Sequence, residues 1–148
     1  MPGYEVNAHS VARAHVVFTL LATGATWPTW SPIDTAEILN DEGDAEGGEG
    51  VGTTRVFRTG WNVSREKVVE LVPDRRLGYV MVGGPLRDYR GDVSLSPAAD
   101  GGTDICWRAT FHPKIHGTGW FWQLFLSRYM RRFVDGLAAH AASLDRAA

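Results

Sequence analysis

The last 32 residues, Gly117–Ala148, constrain the fold more than any other stretch. They read GTGWFWQLFLSRYMRRFVDGLAAHAASLDRAA, and no proline occurs after Trp120. With successive residues about 100° apart, Trp122, Phe125, Leu126, Tyr129, Phe133, Leu137, His140 and Leu144 share one arc. Gln123, Ser127, Arg128, Arg131 and Asp135 lie mostly opposite. This spacing predicts an amphipathic helix of about seven turns over Trp120–Leu144. Its apolar arc carries four aromatic rings and needs a broad apolar surface to rest on.

The preceding chain supplies strands. Tyr4–Ala12 alternates loosely, and Arg13–Ala22 carries Val16, Val17, Leu20 and Leu21 at helical spacing. Gly24 is expected to end that helix in a positive-φ conformation. In Thr26–Pro32, two prolines confine any helix to a turn, with Trp27 and Trp30 on one face. Ile33–Leu39, Thr53–Thr59, Asn62–Val72, Arg76–Val82, Tyr89–Ser96 and Thr103–His112 read as strands. Gly60, Pro73-Asp74, Gly83-Gly84-Pro85 and Ala98–Gly102 separate them with turn residues, as in an antiparallel meander. Ile105, Trp107, Ala109 and Phe111 alternate with Cys106, Arg108, Thr110 and His112. Tyr89, Val93 and Leu95 alternate with Arg90, Asp92 and Ser94. Such alternation belongs to a sheet covered on one face, and the C-terminal helix is the natural cover. Residues 1–148 are thus expected to form a single domain.

A net charge of −2 argues against nucleic acid or an anionic membrane as a partner. One cysteine, Cys106, excludes an internal disulfide and fits a reducing compartment. MPGYEVNAHS lacks the basic and apolar regions of a signal peptide. Val16–Ala22 and Gly119–Leu126 are too short to span a bilayer. A cytoplasmic protein without stable membrane insertion is expected, with a homodimer left open as an assembly.

The ordered set of segments resembles the helix-grip fold of the START-like, or SRPBCC, superfamily, in its polyketide cyclase/dehydrase-like branch. The resemblance rests on Val17–Leu21 leading into Trp27–Pro32, then Gly50–Arg55, Val68–Pro73, Gly101–Trp107 and the terminal helix. It implies an α+β fold: two short helices after strand 1, and a seven-stranded antiparallel curved sheet wrapped around a long C-terminal helix. It also implies an apolar cavity between sheet and helix for a lipid, polyketide or other hydrophobic molecule. Family members include both enzymes and binders, and fold does not decide between them.

The aromatic set Trp30, Trp107, Phe111, Trp122, Phe125, Tyr129 and Phe133 could pack a core or line such a cavity. Gly136 favours a cavity, because on this reading it leaves volume opposite Trp107 and Phe111. A leucine there would fill that volume. Tyr79, Tyr89, Tyr129, Arg55 and His140 are candidate polar anchors, since pockets are mostly apolar with a few orienting groups. A volume of at least about 300 Å³ is expected.

No metal or cofactor is implied. His112 and His116 flank Pro113 and cannot form a helical zinc pair. The carboxylates from Asp34 to Glu49 lack the spacing of an EF-hand loop. Cys106 has no activating cation fixed by sequence, and no nucleophile-elbow or phosphate-loop motif occurs. Glu66, Asp92 and the histidines could act as acid or base, but no spacing joins two of them. Arg128, Arg131 and Arg132 read as a solvated strip. Three functions follow: a hydrophobic-ligand binder, a cyclase/dehydratase-type enzyme using the same cavity, or a module whose apolar groove takes a partner segment.

Overall fold

A computed structural model describes residues 2–39 and 49–147. Most of the Gly-rich acidic stretch expected to be a solvated turn, residues 40–48, lies outside them. The chain forms β1 (Gly3–Ser10), α1 (Ala14–Ala22), a 3-10 turn (Gly24–Thr26), α2 (Trp27–Trp30) and β2 (Thr35–Leu39). Then follow β3 (Thr54–Thr59), β4 (Asn62–Val72), β5 (Arg76–Met81), β6 (Leu86–Pro97), β7 (Thr103–Pro113) and α3 (Gly119–Ala147).

The strands make one antiparallel sheet in the order β1-β7-β6-β5-β4-β3-β2. Sequential neighbours pair through short turns from β3 to β7, and only β1 joins from the far end of the chain. The predicted alternation holds in β7, where Ile105, Trp107, Ala109 and Phe111 are buried. In β6, Tyr89, Gly91, Val93 and Leu95 are buried. Register breaks in β4 between Val68 and Glu70, and in β6 between Arg87 and Arg90, bend the sheet. In the second, Asp88 takes a positive φ of 52° just before Tyr89 turns inward.

β2 begins two residues later than expected and β6 three residues earlier. Gly24 does not end α1 in a left-handed conformation. Instead its amide donates to the Glu49 carboxylate at 2.8 and 3.0 Å. A side chain at Gly24 would meet Ile38 and Arg55.

α3 lies on β1, β7 and α1. Its seat is rotated by about 80° from the arc read off the sequence. Val134, Leu137 and Ala141 are fully buried, with Met130, Phe133 and Ala138 nearly so. Phe125 and Leu144 are exposed, and His140 is half-buried. Alanines at the C-terminal end let the helix approach the sheet, and Ser10 there donates its hydroxyl to the Ala138 carbonyl at 2.8 Å. The large rings at the N-terminal end do not fit such a seat. Arg13 pairs with Asp145 at 2.8 Å and ties this end of α3 to the start of α1.

Gly136 requires a correction. A Cβ there would fall on the carbonyl oxygen of Trp30. The glycine lets α2 press on α3; it does not open space over the sheet. Arg131 is also more than a solvated residue, since it donates to the Asn7 carbonyl.

Gly136→Ala should therefore destabilise the protein by about 1–3 kcal/mol or more, as an overpacked contact does. Phe133→Ala should cost about 3–5 kcal/mol, while exposed Arg132→Ala should change stability by about 0.5 kcal/mol or less. Denaturant titration of the three variants measures these differences.

Candidate functional site

A cavity of about 510 Å³ lies between the sheet and the N-terminal half of α3. α3 seats closely on the β1–β7 side, and the curved β3–β6 side stands away from it. The helix wall is Trp122, Phe125, Leu126, Tyr129, Met130 and Phe133. Phe57, Tyr79, Met81, Leu86, Tyr89 and Trp107 form the sheet wall, and Trp27 and Ile33 close one side. Exposed Asn62, Val63, Gly83, Gly84 and Pro85 mark the mouth, whereas Trp27, Phe57, Glu66, Tyr79, Tyr89, Trp107 and Phe133 are buried at its depth.

The deep wall is held by ring packing. Trp27 stacks on Phe57 with centroids 4.7 Å apart and meets Trp107 edge-on at 5.5 Å. Tyr129 meets Phe133 edge-on at 5.1 Å. These contacts fix the rings that border the empty volume and keep them from collapsing into it.

Hydroxyls cluster across β1, β7, β6 and β5, which are consecutive in the sheet. Trp107 Nε1 donates to the Tyr79 hydroxyl at 3.1 Å, and the Tyr4 and Tyr89 hydroxyls bond each other. Tyr79 crosses over Gly91, its partner on β6, where any side chain would strike the Tyr79 ring. Burial pushes the Tyr79 hydroxyl up to about 12. Tyr4 and Tyr89 are raised well above the ordinary tyrosine value for the same reason. These groups are neutral donors at physiological pH.

One carboxylate reaches the cavity. Glu66 on β4 is buried, and its Oε1 accepts from Arg55 Nη2 at 2.8 Å. Arg55 Nη1 donates to the Leu21 carbonyl at 2.8 Å, and the guanidinium lies 4.7 Å above the Trp27 ring. Arg55 Nε is buried without a hydrogen-bond partner. Burial raises the Glu66 carboxyl above the ordinary glutamate value, outweighing the pull of Arg55. Glu49, 3.8 Å from Arg55, is raised by burial in the same way.

Of the candidates named from sequence, Tyr79, Tyr89, Trp107, Trp122, Phe125, Tyr129 and Phe133 converge on the cavity. Trp30, Arg55, Phe111 and Gly136 do not line it. Trp30 packs 6.4 Å from Trp107, and Phe111 stacks behind Tyr89 at 6.0 Å. Arg55 lies behind Glu66, and Gly136 lies under Trp30. His140 is also outside the lining. The sequence reading missed Trp27, Phe57, Met81, Leu126 and Met130 as lining residues. Phe57 and Glu66 had a signal in strand parity: Phe57 lies two residues from Arg55 on β3, and Glu66 is the cross-strand partner of Arg55. Among the described residues no cluster suited to a metal ion occurs. No described helix is long and apolar enough to cross a membrane.

The tyrosines predict a pH dependence. Tyr79 ionises near 10 when unfolded and near 12 in the fold. Its contribution to stability is present below pH 10 and is lost as pH rises toward 12, because only the unfolded chain can release the proton. Denaturant midpoints should fall over that interval. They should fall less in Tyr79→Phe.

Comparison with known proteins agrees with this architecture. A START superfamily protein from Mycobacterium smegmatis superposes with a TM-score of 0.81 at 12% identity, over 97% of this chain and 99% of that one. A protein from Thermobifida fusca gives 0.79 at 21% identity, over 98% and 96%. StfQ, a di-domain ARO/CYC from the steffimycin biosynthetic pathway, gives 0.77 at 16% identity, over 98% of this chain and 51% of that one. No curated protein matches the sequence. The family model described as polyketide cyclase / dehydrase and lipid transport matches residues 1–142. With a START-like helix-grip fold and a match over nearly its whole length, the chain belongs to the polyketide cyclase / dehydrase and lipid transport family.

Proposed function

We propose that the protein binds a hydrophobic small molecule (a lipid, a polyketide or an aromatic compound) in the cavity between the sheet and α3. The observation that carries this reading is the cavity of about 510 Å³ walled by aromatic and aliphatic side chains from both layers. That volume falls within the usual range of small-molecule sites, about 300–1,000 Å³, and apolar walls with few polar groups are their usual lining. Transfer of apolar ligand surface from water supplies the affinity, at about 25 cal/mol per Å² before the cost of association.

A second reading, a cyclase or dehydratase, is favoured by the polar groups that meet inside the same cavity. Tyr79, Tyr89 and Glu66 all line it. A neutral tyrosine hydroxyl can donate to a carbonyl oxygen as negative charge develops there, while the walls hold a flexible chain in one conformer. Membership of a cyclase / dehydrase family and the fold shared with StfQ, an ARO/CYC, agree with such chemistry. Binding remains the first reading because Tyr89 is already bonded to Tyr4 and the Tyr79 oxygen already accepts from Trp107, so these hydroxyls serve the protein's own network even though the Tyr79 proton stays free to donate.

Binding is tested with N-phenyl-1-naphthylamine, an uncharged fluorophore. It should saturate at one site per chain and quench emission from Trp27, Trp107 and Trp122, which line the cavity. Ser64 lines the cavity on β4 and takes no part in the packed core. Ser64→Phe should weaken binding at least about tenfold by filling ligand volume, with the melting temperature little changed. Unsaturable binding, or binding indifferent to Ser64→Phe, would overturn the reading.

A further inference from the structure

Antiparallel pairing of consecutive strands places the β3–β4 turn, the β5–β6 turn and the end of β7 at one end of the sheet. The Lys114 amide joins two of these segments by donating to the Pro85 carbonyl at 3.2 Å, and α3 starts beside them. Among the described residues, the exposed aromatic side chains are Trp61, Trp120, Phe121 and Phe125, and all stand at this end. Trp61 is fully exposed at the tip of the β3–β4 turn, and Trp120 is 71% exposed at the start of α3. Phe121 meets Trp120 edge-on at 6.3 Å and stacks on Phe125 at 6.1 Å, so the helix rings form a continuous patch. Exposed Val82 and Ile115 lie in the two neighbouring turns. Single exposed apolar residues are ordinary, whereas a contiguous apolar patch marks a contact surface. Phe121, Leu124 and Phe125 share a groove with Arg128 and Arg132.

Charge follows the same axis. The chain has no carboxylate between Asp104 and Asp135, a segment that holds Lys114, Arg128 and Arg132. Two carboxylates do lie at this end: Asp34, which accepts from the Gly60 amide at 2.6 Å, and Asp88, next to Arg87 in the chain. Asp74, Asp100 and Asp145 lie at the opposite end, in the β4–β5 turn, the β6–β7 turn and the last turn of α3. The net charge of −2 is thus a sum over two unlike ends.

The geometry points to this end as a seat on the surface of an anionic lipid bilayer, with Trp61 and Trp120 in the headgroup zone and Lys114, Arg128 and Arg132 against the lipid phosphates. Tryptophan rings favour that zone, and basic side chains beside an apolar patch add attraction to anionic lipid. The contact is peripheral: the patch is made of turn tips and a helix end, and no described helix can span the bilayer. A second copy of the chain fits this face less well. A two-fold contact would bring two sets of Arg128 and Arg132 together, with no carboxylate in their groove to answer them. The proposal goes beyond the ligand-binding reading and does not depend on it.

The test is co-sedimentation with vesicles of phosphatidylcholine, alone or with about 30% phosphatidylglycerol. Native protein should bind the anionic vesicles at least about tenfold more tightly. That preference should shrink in about 1 M salt, where exposed charges are screened. The double variant Trp61→Ser, Trp120→Ser should weaken vesicle binding at least about tenfold, with the melting temperature unchanged because both side chains are exposed. Arg128→Gln, Arg132→Gln should remove the preference for anionic vesicles. Both double variants should bind N-phenyl-1-naphthylamine within about twofold of native protein, since none of the four residues lines the cavity. No vesicle binding by native protein, equal binding to the two vesicle types, or binding indifferent to the tryptophan pair overturns the proposal and leaves the ligand site standing. A dimer in analytical ultracentrifugation that Trp120→Ser dissociates, with no vesicle binding, overturns it in favour of a second copy.

Discussion

The spacing between α3 and the sheet is set by side-chain size along one helix, and the cavity follows from it. At the C-terminal end, Ala138 and Ala141 face β1 and α1, and Gly136 receives the carbonyl of Trp30. Contact there is close, with Ala141 fully buried and no room for a side chain at Gly136. At the N-terminal end, Trp122, Phe125, Tyr129 and Phe133 project from the helix where the sheet curves away. Large rings on both walls, already engaged with one another, cannot interdigitate further. The helix is clamped at one end and propped at the other, and the open volume lies at the propped end.

This division explains which parts of the molecule were legible in the sequence. Strand parity gave the inner face of β6 and β7 correctly, because a period of two is insensitive to register within one strand. The length of α3 was legible from its unbroken periodicity. Its rotation was not: alanines weigh little in a hydrophobic arc, yet Ala138 and Ala141 are the residues that permit close packing. The arc drawn through the largest rings therefore pointed to the cavity, and the true seat lies about 80° away. Gly136 was misread for the same reason. A glycine can mark empty space or a close approach of backbone, and only the position of Trp30 distinguishes them. Glu66 was visible as a titratable residue, but its pairing needed the register of β3 on β4.

Electrostatics adds a second constraint. Arg55 and Glu66 are a buried ion pair, and such pairs contribute little net stability once desolvation is counted. The guanidinium lies over the rings of Trp27 and Phe57, which line the cavity together with Glu66, and one of its nitrogens has no partner. A stability role would be met as well by apolar side chains of similar size. Placing a fixed carboxylate at the end of an apolar chamber is something those side chains could not do. The tyrosine cluster on β1, β5 and β6 has the same character: neutral hydroxyls, held in place by protein partners, at the edge of an apolar volume.

The central claim is that the space between the sheet and α3 is a ligand site and not a packing defect. Methyl NMR tests it most directly, because Met81 and Met130 line the cavity from opposite walls, while Ala141 is buried at the clamped end. Titration with 2-methylnaphthalene should shift both methionine methyls by ring current, saturating at one equivalent, with intermolecular contacts to each and no shift at Ala141. Uniform shifts that do not saturate, or methionine signals unchanged at saturating probe, would contradict the account.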